Sequence, residues 1–381
     1  MAQRYQREIR AELPEVDAVL GTAAIDEIVR AVEEAEHLYI RPLDTPEHGG
    51  QRRVLTTGGY VSYLKIAEGC DKHCSYCAIP GFRGPYRSVP MEELLQEAEA
   101  LAAQGVRELI LVAQETTVYG ADLYGRKMLP ELLRRLCRID GLHWIRVLYC
   151  YPEEITDELI DTMASEPKIV HYLDMPIQHA SDPVLRRMGR RTNRKELEAA
   201  IASLRARIPN ICLRTTLITG FPGETEQDHR RLLAFVRKMK FDRLGVFTYS
   251  KEDGTPAAEF RPQIRASVKK KRQKEIMLAQ QEIAFRRARR MKGAVLEAVI
   301  EGRITEDGGL RRSDSWNEVY TARTYRDAPD VDGTLFLEVP PGRELMTGTF
   351  VYVRVTGAEG YDLLGRLEEA SLTRDEACLT L

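Results

Sequence analysis

Short apolar runs alternate with amphipathic stretches between residues 60 and 249, and this alternation restricts the possible folds more than any other feature of the chain. Strands that alternate with helices in this way pair in parallel through right-handed crossovers. We therefore predict an α/β core, built as an open parallel sheet or as a full or partial barrel. The six candidate strands are 61–67, 109–113, 144–149, 169–174, 213–219 and 244–249. The helical patterns between them are 91–104, 129–138, 156–164, 194–207 and 225–239.

Polar residues follow these strands at the points where the chain leaves the sheet. Ligands of parallel α/β folds collect at the carboxyl ends of the strands, so these residues are candidates for a binding site. They include Gln114, Gln178 and the stretch from Thr216 to the turn 220–225. The glycines of that turn could admit a ligand to the backbone, or they could form only a tight turn before a helix N-cap at Thr225.

Three of the seven cysteines, Cys70, Cys74 and Cys77, lie in one short loop after the first strand. Thiolates suit zinc or an iron–sulfur cluster. A structural zinc site closes four ligands, and no second cysteine pair lies nearby, although His73 could supply a fourth ligand. Three cysteines would instead leave one iron of a cubane cluster open, which is the interpretation we favour. The remaining cysteines, at 137, 150, 212 and 378, are isolated and are expected to be reduced core thiols.

The Cys-x-x-x-Cys-x-x-Cys loop, with Tyr76 before its last cysteine, resembles the motif of the radical S-adenosylmethionine (SAM) superfamily. The resemblance implies a partial, six-stranded parallel β/α barrel. It also implies a 4Fe-4S cluster on Cys70, Cys74 and Cys77 whose open iron chelates the amino and carboxylate groups of SAM. Reductive cleavage of SAM then gives a 5'-deoxyadenosyl radical, chemistry that a cofactor must carry. The residues expected to contact SAM are Tyr76, Gln114, Gln178 and Thr216, and no catalytic residue is assigned.

Four further motifs, at 84–88, 148–152, 172–179 and 220–225, resemble the methylthiotransferase branch of that superfamily. The stretches 114–120 and 241–247 are most similar to the members that methylthiolate small-subunit ribosomal protein S-twelve. This resemblance implies modification of the β-carbon of an aspartate. It also implies three parts: a remnant of an N-terminal methylthiotransferase domain with its linker (1–50), a radical SAM core with a linking helix (51–292) and a TRAM-like β-barrel (293–370).

The family resemblance also implies a second 4Fe-4S cluster, held by three cysteines of the N-terminal domain. The first cysteine of this chain is Cys70, so we expect no ligands for that cluster here. The chain is therefore expected to cleave SAM without inserting sulfur. The alternatives are a transfer-RNA methylthiotransferase and a truncated binding module that does not turn over.

Charge is distributed unevenly along a chain whose net charge is only −2. Residues 265–292 hold 11 Lys/Arg and 2 Asp/Glu, and they read as a long helix whose cations are either solvated or in contact with ribosomal RNA. Residues 293–381 hold 9 Arg and 17 Asp/Glu, with β-type runs at 295–301, 316–325, 334–339 and 350–356 that predict a small antiparallel barrel. An acidic barrel repels phosphate, which disfavours transfer RNA, and favours a basic ribosomal protein. We expect Asp327, Asp330 and Asp332 to belong to the partner-binding surface.

The sequence contains no apolar stretch of the ~18 residues that a membrane helix needs, and its first ten residues are too polar for a secretory signal. We therefore expect a cytoplasmic protein that does not contact a membrane. Its expected partners are ribosomal protein S-twelve, free or in the small subunit, and an electron donor.

Overall fold

The structure, a computed structural model, describes residues 2–34, 38–46, 53–56, 58–304 and 318–368. Cys378 and the start of the predicted strand 316–325 lie outside these ranges. The strands are β1 (Val19–Leu20), β2 (Leu38–Tyr39), β3 (Val61–Lys65), β4 (Ala67–Glu68), β5 (Arg87–Ser88), β6 (Glu108–Val112), β7 (Trp144–Val147), β8 (Ile169–Gln178), β9 (Cys212–Thr219), β10 (Arg243–Thr248), β11 (Val295–Arg303), β12 (Glu318–Thr324), β13 (Leu335–Val339), β14 (Phe350–Glu359) and β15 (Asp362–Leu367). The α-helices are α1 (Ala2–Glu12), α2 (Ile28–Glu34), α3 (Pro80–Arg83), α4 (Met91–Ala103), α5 (Ala121–Tyr124), α6 (Leu129–Cys137), α7 (Asp157–Ser165), α8 (Asp182–Arg187), α9 (Arg194–Arg207), α10 (Glu226–Met239), α11 (Pro256–Glu259) and α12 (Ala266–Arg289).

Six parallel strands form the core sheet in the order β10-β9-β8-β7-β6-β3, which confirms the predicted partial barrel. The first predicted strand is divided into β3 and β4, and the amide of Ile66 between them still donates to the carbonyl of Val112 at 3.0 Å. Strand β8 runs four residues beyond its predicted end, to Gln178, which adopts a positive φ of 66°.

The helices that cover the sheet bury regularly spaced apolar residues against it. In α10 these include Leu232 and Phe235, neither of which is exposed. This helix begins at a capping box, in which the Thr225 hydroxyl accepts from the amide of Asp228 and the Asp228 side chain accepts from the amide of Thr225. Thr225 is therefore the N-cap of α10, and the capping box does not distinguish the two predicted roles of the glycines in the turn 220–225.

The C-terminal strands close into a five-stranded barrel in the order β11-β12-β13-β15-β14. Four of these strands correspond to predicted runs, whereas β15 was not predicted. Strand β15 pairs in parallel with β13, so the expectation of an entirely antiparallel barrel is wrong.

The barrel docks against the amino ends of the core strands. Arg323 of β12 reaches Glu108 at the start of β6 with 2.6 Å between Nη2 and Oε2, and the Trp144 indole at the start of β7 donates to Glu297 of β11 at 3.1 Å. Helix α12 connects the two units, and its inner residues Ile276 and Ile283 are buried against the core.

Two of the three acids expected on a partner-binding surface lie instead inside this contact. Asp327 is 2% exposed and pairs with Arg243, and the Asp332 side chain is 4% exposed and accepts a 2.7 Å hydrogen bond from the Tyr172 hydroxyl. Of the three acids, only Asp330 is exposed. The expectation is therefore wrong for Asp327 and Asp332, because the core supplies the cations that neutralise them.

The N-terminal residues form two short α-helices, α1 and α2, and a small sheet. Helix α1 ends at Glu12, two residues before Pro14, and it contacts the core through Arg4, which donates to the Asp253 carbonyl. The next elements are the two-stranded parallel sheet of β1 and β2 and the short helix α2 between them. Among the described residues, no helix combines the length and the apolar character needed to cross a membrane.

Candidate functional site

The cysteine loop (residues 70–77) follows β4 at the carboxyl-terminal side of the core sheet. Its backbone is held at several points: the amide of Cys70 donates to the Gly84 carbonyl at 3.1 Å, and the amide of Ser75 donates to the Met188 carbonyl at 2.9 Å. The Ser75 hydroxyl also donates to the Arg187 carbonyl at 2.8 Å. The loop is therefore fixed both to the segment that follows α3 and to the end of α8.

Gly69 shows how closely this loop is packed. Its φ is +80°, and a Cβ at this position would lie 1.9 Å from the backbone oxygen of Pro85. Only glycine combines this conformation with so close a backbone approach. A side chain at residue 69 would therefore displace the loop from residues 84–86.

Two of the three thiols, Cys70 and Cys77, lie in an environment that disfavours their charged forms. Burial raises the pKa of Cys70 to about 11, with further contributions from Glu115, Cys74 and Cys77, and burial also raises the pKa of Cys77. A bound metal reverses this preference, because thiolate ligands lose their protons to it. Three thiols in one loop are the donor set of a three-cysteine cluster. The expected fourth zinc ligand is less well placed, since His73 is exposed.

Within the residues that the structure describes, no group of three or more His, Cys, Asp or Glu side chains is arranged to hold a metal ion. The three thiols therefore fit a cluster by their chemistry and by their position in one loop, and not by a preformed coordination geometry.

Buried polar atoms without partners lie at the carboxyl ends of the core strands. Folded proteins pair the great majority of such atoms, so an unpaired set at one location indicates a polar ligand that the chain itself does not supply. Among the described residues, the atoms here without a hydrogen-bond partner are Gln114 Oε1 and Glu115 Oε2 after β6, Gln178 Oε1 and His179 Nε2 after β8, Thr219 Oγ1 at the end of β9 and the Tyr249 hydroxyl after β10. Two of them face charged groups beyond hydrogen-bond distance: Glu115 Oε2 lies 3.7 Å from Lys72 Nζ, and His179 Nε2 lies 3.9 Å from Glu224 Oε1.

Glu115 connects this row of atoms to the cysteine loop. It is 1% exposed, and burial raises its pKa to about 7. The Thr117 hydroxyl donates to one carboxyl oxygen, and the Lys72 ammonium of the cysteine loop lies 3.7 Å from the other. This carboxyl group is therefore poised between its charged and neutral forms beside the loop.

Tyr76 and Thr216 lie on the same side of the sheet as these atoms. The ring of Tyr76 makes an edge contact with Phe221 at a centroid distance of 6.4 Å, and Ile218 packs against the same aromatic cluster. Thr216 precedes Ile218 by two residues on β9 and so shares its face of the strand. Gln114, Gln178 and Thr216 therefore lie at or near the carboxyl ends of their strands, with Tyr76 of the cysteine loop on the same side, and their contact with SAM stays a prediction.

Arg190 was missed by sequence reasoning because it follows a helix and not a strand. It is 5% exposed, stacks over the Tyr151 ring with Cζ 4.2 Å from the centroid, and pairs with Glu153 at 3.3 Å. The signal in the sequence is Gly189, whose φ of +73° turns the chain at the end of α8.

Comparison with known proteins agrees with the domain types expected from the motifs. A model of the radical SAM superfamily matches residues 64–236, and a model of the TRAM domain matches residues 293–367. Among solved structures, coproporphyrinogen III oxidase from Escherichia coli, a radical SAM enzyme, aligns over 60% of this chain and 53% of its own, with 19% identity and a TM-score of 0.43.

Curated relatives match almost the whole chain. The ribosomal protein uS12 methylthiotransferase RimO of Lachnoclostridium phytofermentans is 58% identical over 97% of this chain and 82% of its own length. The protein of the same name from Acetivibrio thermocellus is 47% identical over 96% of this chain and 81% of its own length. Likeness at this level over this coverage confirms the resemblance read from the motifs, and the chain therefore belongs to the ribosomal protein uS12 methylthiotransferase family of radical SAM enzymes.

Proposed function

We propose that this chain is a radical SAM enzyme of the family that methylthiolates the β-carbon of an aspartate in ribosomal protein uS12. The reaction proposed for the chain itself is SAM cleavage, since the described cysteines supply no ligands for the second cluster that sulfur insertion requires. The observation that carries the proposal is the position of the cysteine loop, which lies beside the buried, unpaired polar atoms at the carboxyl ends of the core strands. The choice of uS12 as substrate rests on the names of the relatives, since two of the acids expected to select a basic partner are paired with the core.

In this proposal Cys70, Cys74 and Cys77 hold a 4Fe-4S cluster, which supplies the electron that cleaves SAM when it is bound. The side chains of Gln114 and Gln178 offer buried carbonyl oxygens to the hydrogen-bond donors of SAM. Tyr76 closes one side of the site through its contact with Phe221, which excludes water from the reacting atoms. Thr216 lies on the inward-facing strand surface and offers a hydroxyl.

We assign no second cluster to the other described cysteines. Cys137, Cys150 and Cys212 are buried singly in different elements, and burial raises the pKa of each thiol. We further propose a cytoplasmic location and an electron-donor partner. Transfer RNA is the alternative substrate that a direct binding comparison with uS12 must exclude.

Cluster content and SAM cleavage test the proposal together. After anaerobic reconstitution we expect about 4 Fe per chain and release of 5'-deoxyadenosine from SAM on reduction. The Cys74→Ala variant should lose both the iron and the nucleoside, whereas the control Cys137→Ala, which removes a buried thiol from α6, should keep them. Equal activity of the two variants, or tightly held zinc in the reconstituted protein, would contradict the assignment.

A further inference from the structure

Helix α12 carries its cations on two faces. On the inner face, Arg272 Nη1 lies 3.4 Å from Glu224 Oε1, and Arg287 Nη2 lies 2.7 Å from Asp242 Oδ1. Four exposed cations at helical spacing lie on the outer face, and we call them the basic face: Lys271, Lys274, Arg286 and Arg289. The core therefore supplies acids to the inner cations, whereas the outer ones face solvent.

Acidic residues of the chain do little to neutralise the basic face. The same side of α12 carries two acids, Glu275 and Glu282. Glu275 lies 3.9 Å from Lys271, but its other carboxyl oxygen lies 2.7 Å from His229. The remaining three cations have no carboxylate partner among the described residues. Surfaces that serve only solubility mix charges of both signs, so this uneven face indicates an anionic partner.

The lysines near the start of α12 lie where a helix disfavours positive charge. Free N–H groups give the first turn of a helix a partial positive charge. The first turn of α12 contains no acidic residue to offset it, and Lys270, Lys271 and Lys274 follow soon after. Arg286 and Arg289 lie near the carboxyl end, where the same dipole favours a cation. The lysines therefore gain no stabilisation from the helix dipole, and a bound anion would stabilise them.

Helix α12 begins beside the proposed SAM site. The Lys269 ammonium donates to the Tyr249 carbonyl at 2.7 Å, and a Cβ on Gly220 would lie 2.3 Å from Lys269 Cγ. Tyr249 follows β10 and Gly220 follows β9, so both lie at the carboxyl ends of core strands. The basic face therefore starts next to the end of the sheet at which the substrate is expected to bind.

We propose that the basic face binds the phosphate backbone of RNA, and that the enzyme therefore takes uS12 within an RNA-containing particle in preference to the free protein. This role rests on the proposed function, because the ribosomal substrate is what brings RNA to the site. Lysine and arginine bind phosphates regardless of base sequence. The residues from Lys271 to Arg289 span about 27 Å along the helix, which is long enough to reach several phosphates.

Other partners fit the basic face less well. A basic ribosomal protein is repelled by it, so free uS12 gains nothing from these cations. Transfer RNA presents the same phosphates and is the other source of this chemistry. It carries no uS12, however, so it lacks the contacts that the substrate itself makes with the site. Comparison of the particle, the free protein and transfer RNA separates the three.

Binding to small ribosomal subunits tests the proposal without requiring turnover. The reconstituted full chain with SAM is titrated with subunits, free uS12 or transfer RNA between about 50 and 200 mM salt. The unaltered protein should bind subunits at least about tenfold more tightly than either other partner at the lower salt concentration. The basic-face variant Lys271→Gln/Lys274→Gln/Arg286→Gln/Arg289→Gln should lower the slope of log affinity against log salt by about 3, since each neutralised phosphate contributes ~0.7–0.9.

A control variant with the same change in net charge is Arg7→Gln/Arg107→Gln/Arg138→Gln/Lys195→Gln. These four cations are exposed on other parts of the molecule and have no ion pair among the described residues. The control should keep its affinity for subunits within about threefold, because salt screens charges that are distant from the contact. Both variants should release 5'-deoxyadenosine as the unaltered protein does, which shows that the core remains folded.

Three results would overturn the inference. A basic-face variant that loses no more affinity for subunits than the control would show that this face does not bind RNA. Equal affinity of the unaltered protein for subunits and for free uS12 would leave the proposed function standing but remove the role of RNA. Tighter binding of transfer RNA, lost in the basic-face variant, would assign the face to that RNA and would contradict the proposed substrate as well.

Discussion

Two buried glutamates at opposite ends of strand β6 have pKa values that shift in opposite directions. Glu108 begins the strand, and although burial opposes it, Arg146 and Arg323 hold its pKa below the ordinary value of 4.5. Glu115 follows the strand, and burial raises its pKa to about 7. Both are at most 1% exposed. Burial alone therefore does not explain why the two pKa values shift in opposite directions. The direction depends on whether the chain supplies a cation within hydrogen-bond distance of the carboxylate.

A similar contrast extends beyond β6, although Arg146 Nη2 and Arg243 Nε at the amino-end contact also have no hydrogen-bond partner among the described residues. At the amino ends the TRAM barrel and α12 satisfy the core's charges, as at Asp242, whose Oδ1 lies 2.6 Å from Arg326 Nη2 and 2.7 Å from Arg287 Nη2. At the carboxyl ends the buried polar atoms of Gln114, Gln178 and Thr219 remain unpaired in the described part of the chain. One end of the sheet is therefore built for stability, and the other is left incomplete for a ligand.

Breaking the paired end should give the largest effect. Arg323→Met leaves Glu108 with only Arg146 and leaves Glu301 without its 2.8 Å partner, so we expect a loss of about 3–5 kcal/mol in the free energy of unfolding. Urea unfolding measures this loss. Arg303→Met, which breaks an exposed pair with Glu318, is the control and should cost less than about 1 kcal/mol. Equal losses in the two variants would refute the idea that the barrel stabilises the core through buried charge.

The two glutamates should give opposite pH dependences in the metal-free protein. Glu115 ionises near 4.5 in the unfolded chain and near 7 in the folded one, so the fold favours its protonated form, and its burial becomes more destabilising as pH rises through that window. Relative to the unaltered protein, Glu115→Gln should therefore gain up to about 3 kcal/mol of stability between about pH 4.5 and 7.

Glu108→Gln is the counterpart of that variant. The pKa of Glu108 is lower in the folded protein than in the unfolded chain. The ionised carboxylate therefore stabilises the fold above its unfolded pKa, and this stabilisation is lost as pH falls through its folded pKa. Glu108→Gln should therefore be less stable than the unaltered protein at neutral pH, and this difference in the free energy of unfolding should shrink below about pH 4.5. Urea unfolding across pH checks both variants, and parallel curves for the two would remove the distinction between the ends of the strand.

A single substitution at the incomplete end should affect binding and leave stability unchanged. Gln114→Met removes a buried oxygen that has no partner, so the free energy of unfolding should change by less than about 1 kcal/mol, whereas the KM for SAM should rise about tenfold. Gln104→Met at the exposed C-terminus of α4 is the matched control and should change neither quantity. A loss of stability with an unchanged KM for SAM would show that Gln114 has a structural role and does not bind SAM.

The sequence predicted the incomplete end of the sheet better than the paired end. Gln114 and Gln178 were found because periodicity locates a strand's end, and parallel strands gather their carboxyl ends. The ion pair of Asp327 joins it to Arg243, 84 residues earlier, and local patterns contain no information about such distant partners. The acidic composition of the barrel therefore suggested a free acidic surface, whereas some of its acids form ion pairs with the core. Strand β15 was also missed; it forms a tight hairpin with β14 and pairs in parallel with β13.

We expect SAM to complete the hydrogen bonding at the carboxyl ends of the core strands. An anaerobic crystal structure of the reconstituted protein with SAM tests it most directly. We predict a cluster bound by the sulfurs of Cys70, Cys74 and Cys77, with SAM atoms within ~3.2 Å of the side-chain oxygens of Gln114 and Gln178. SAM bound elsewhere, or these oxygens still without a hydrogen-bond partner beside bound SAM, would show that the carboxyl ends of the strands do not serve SAM.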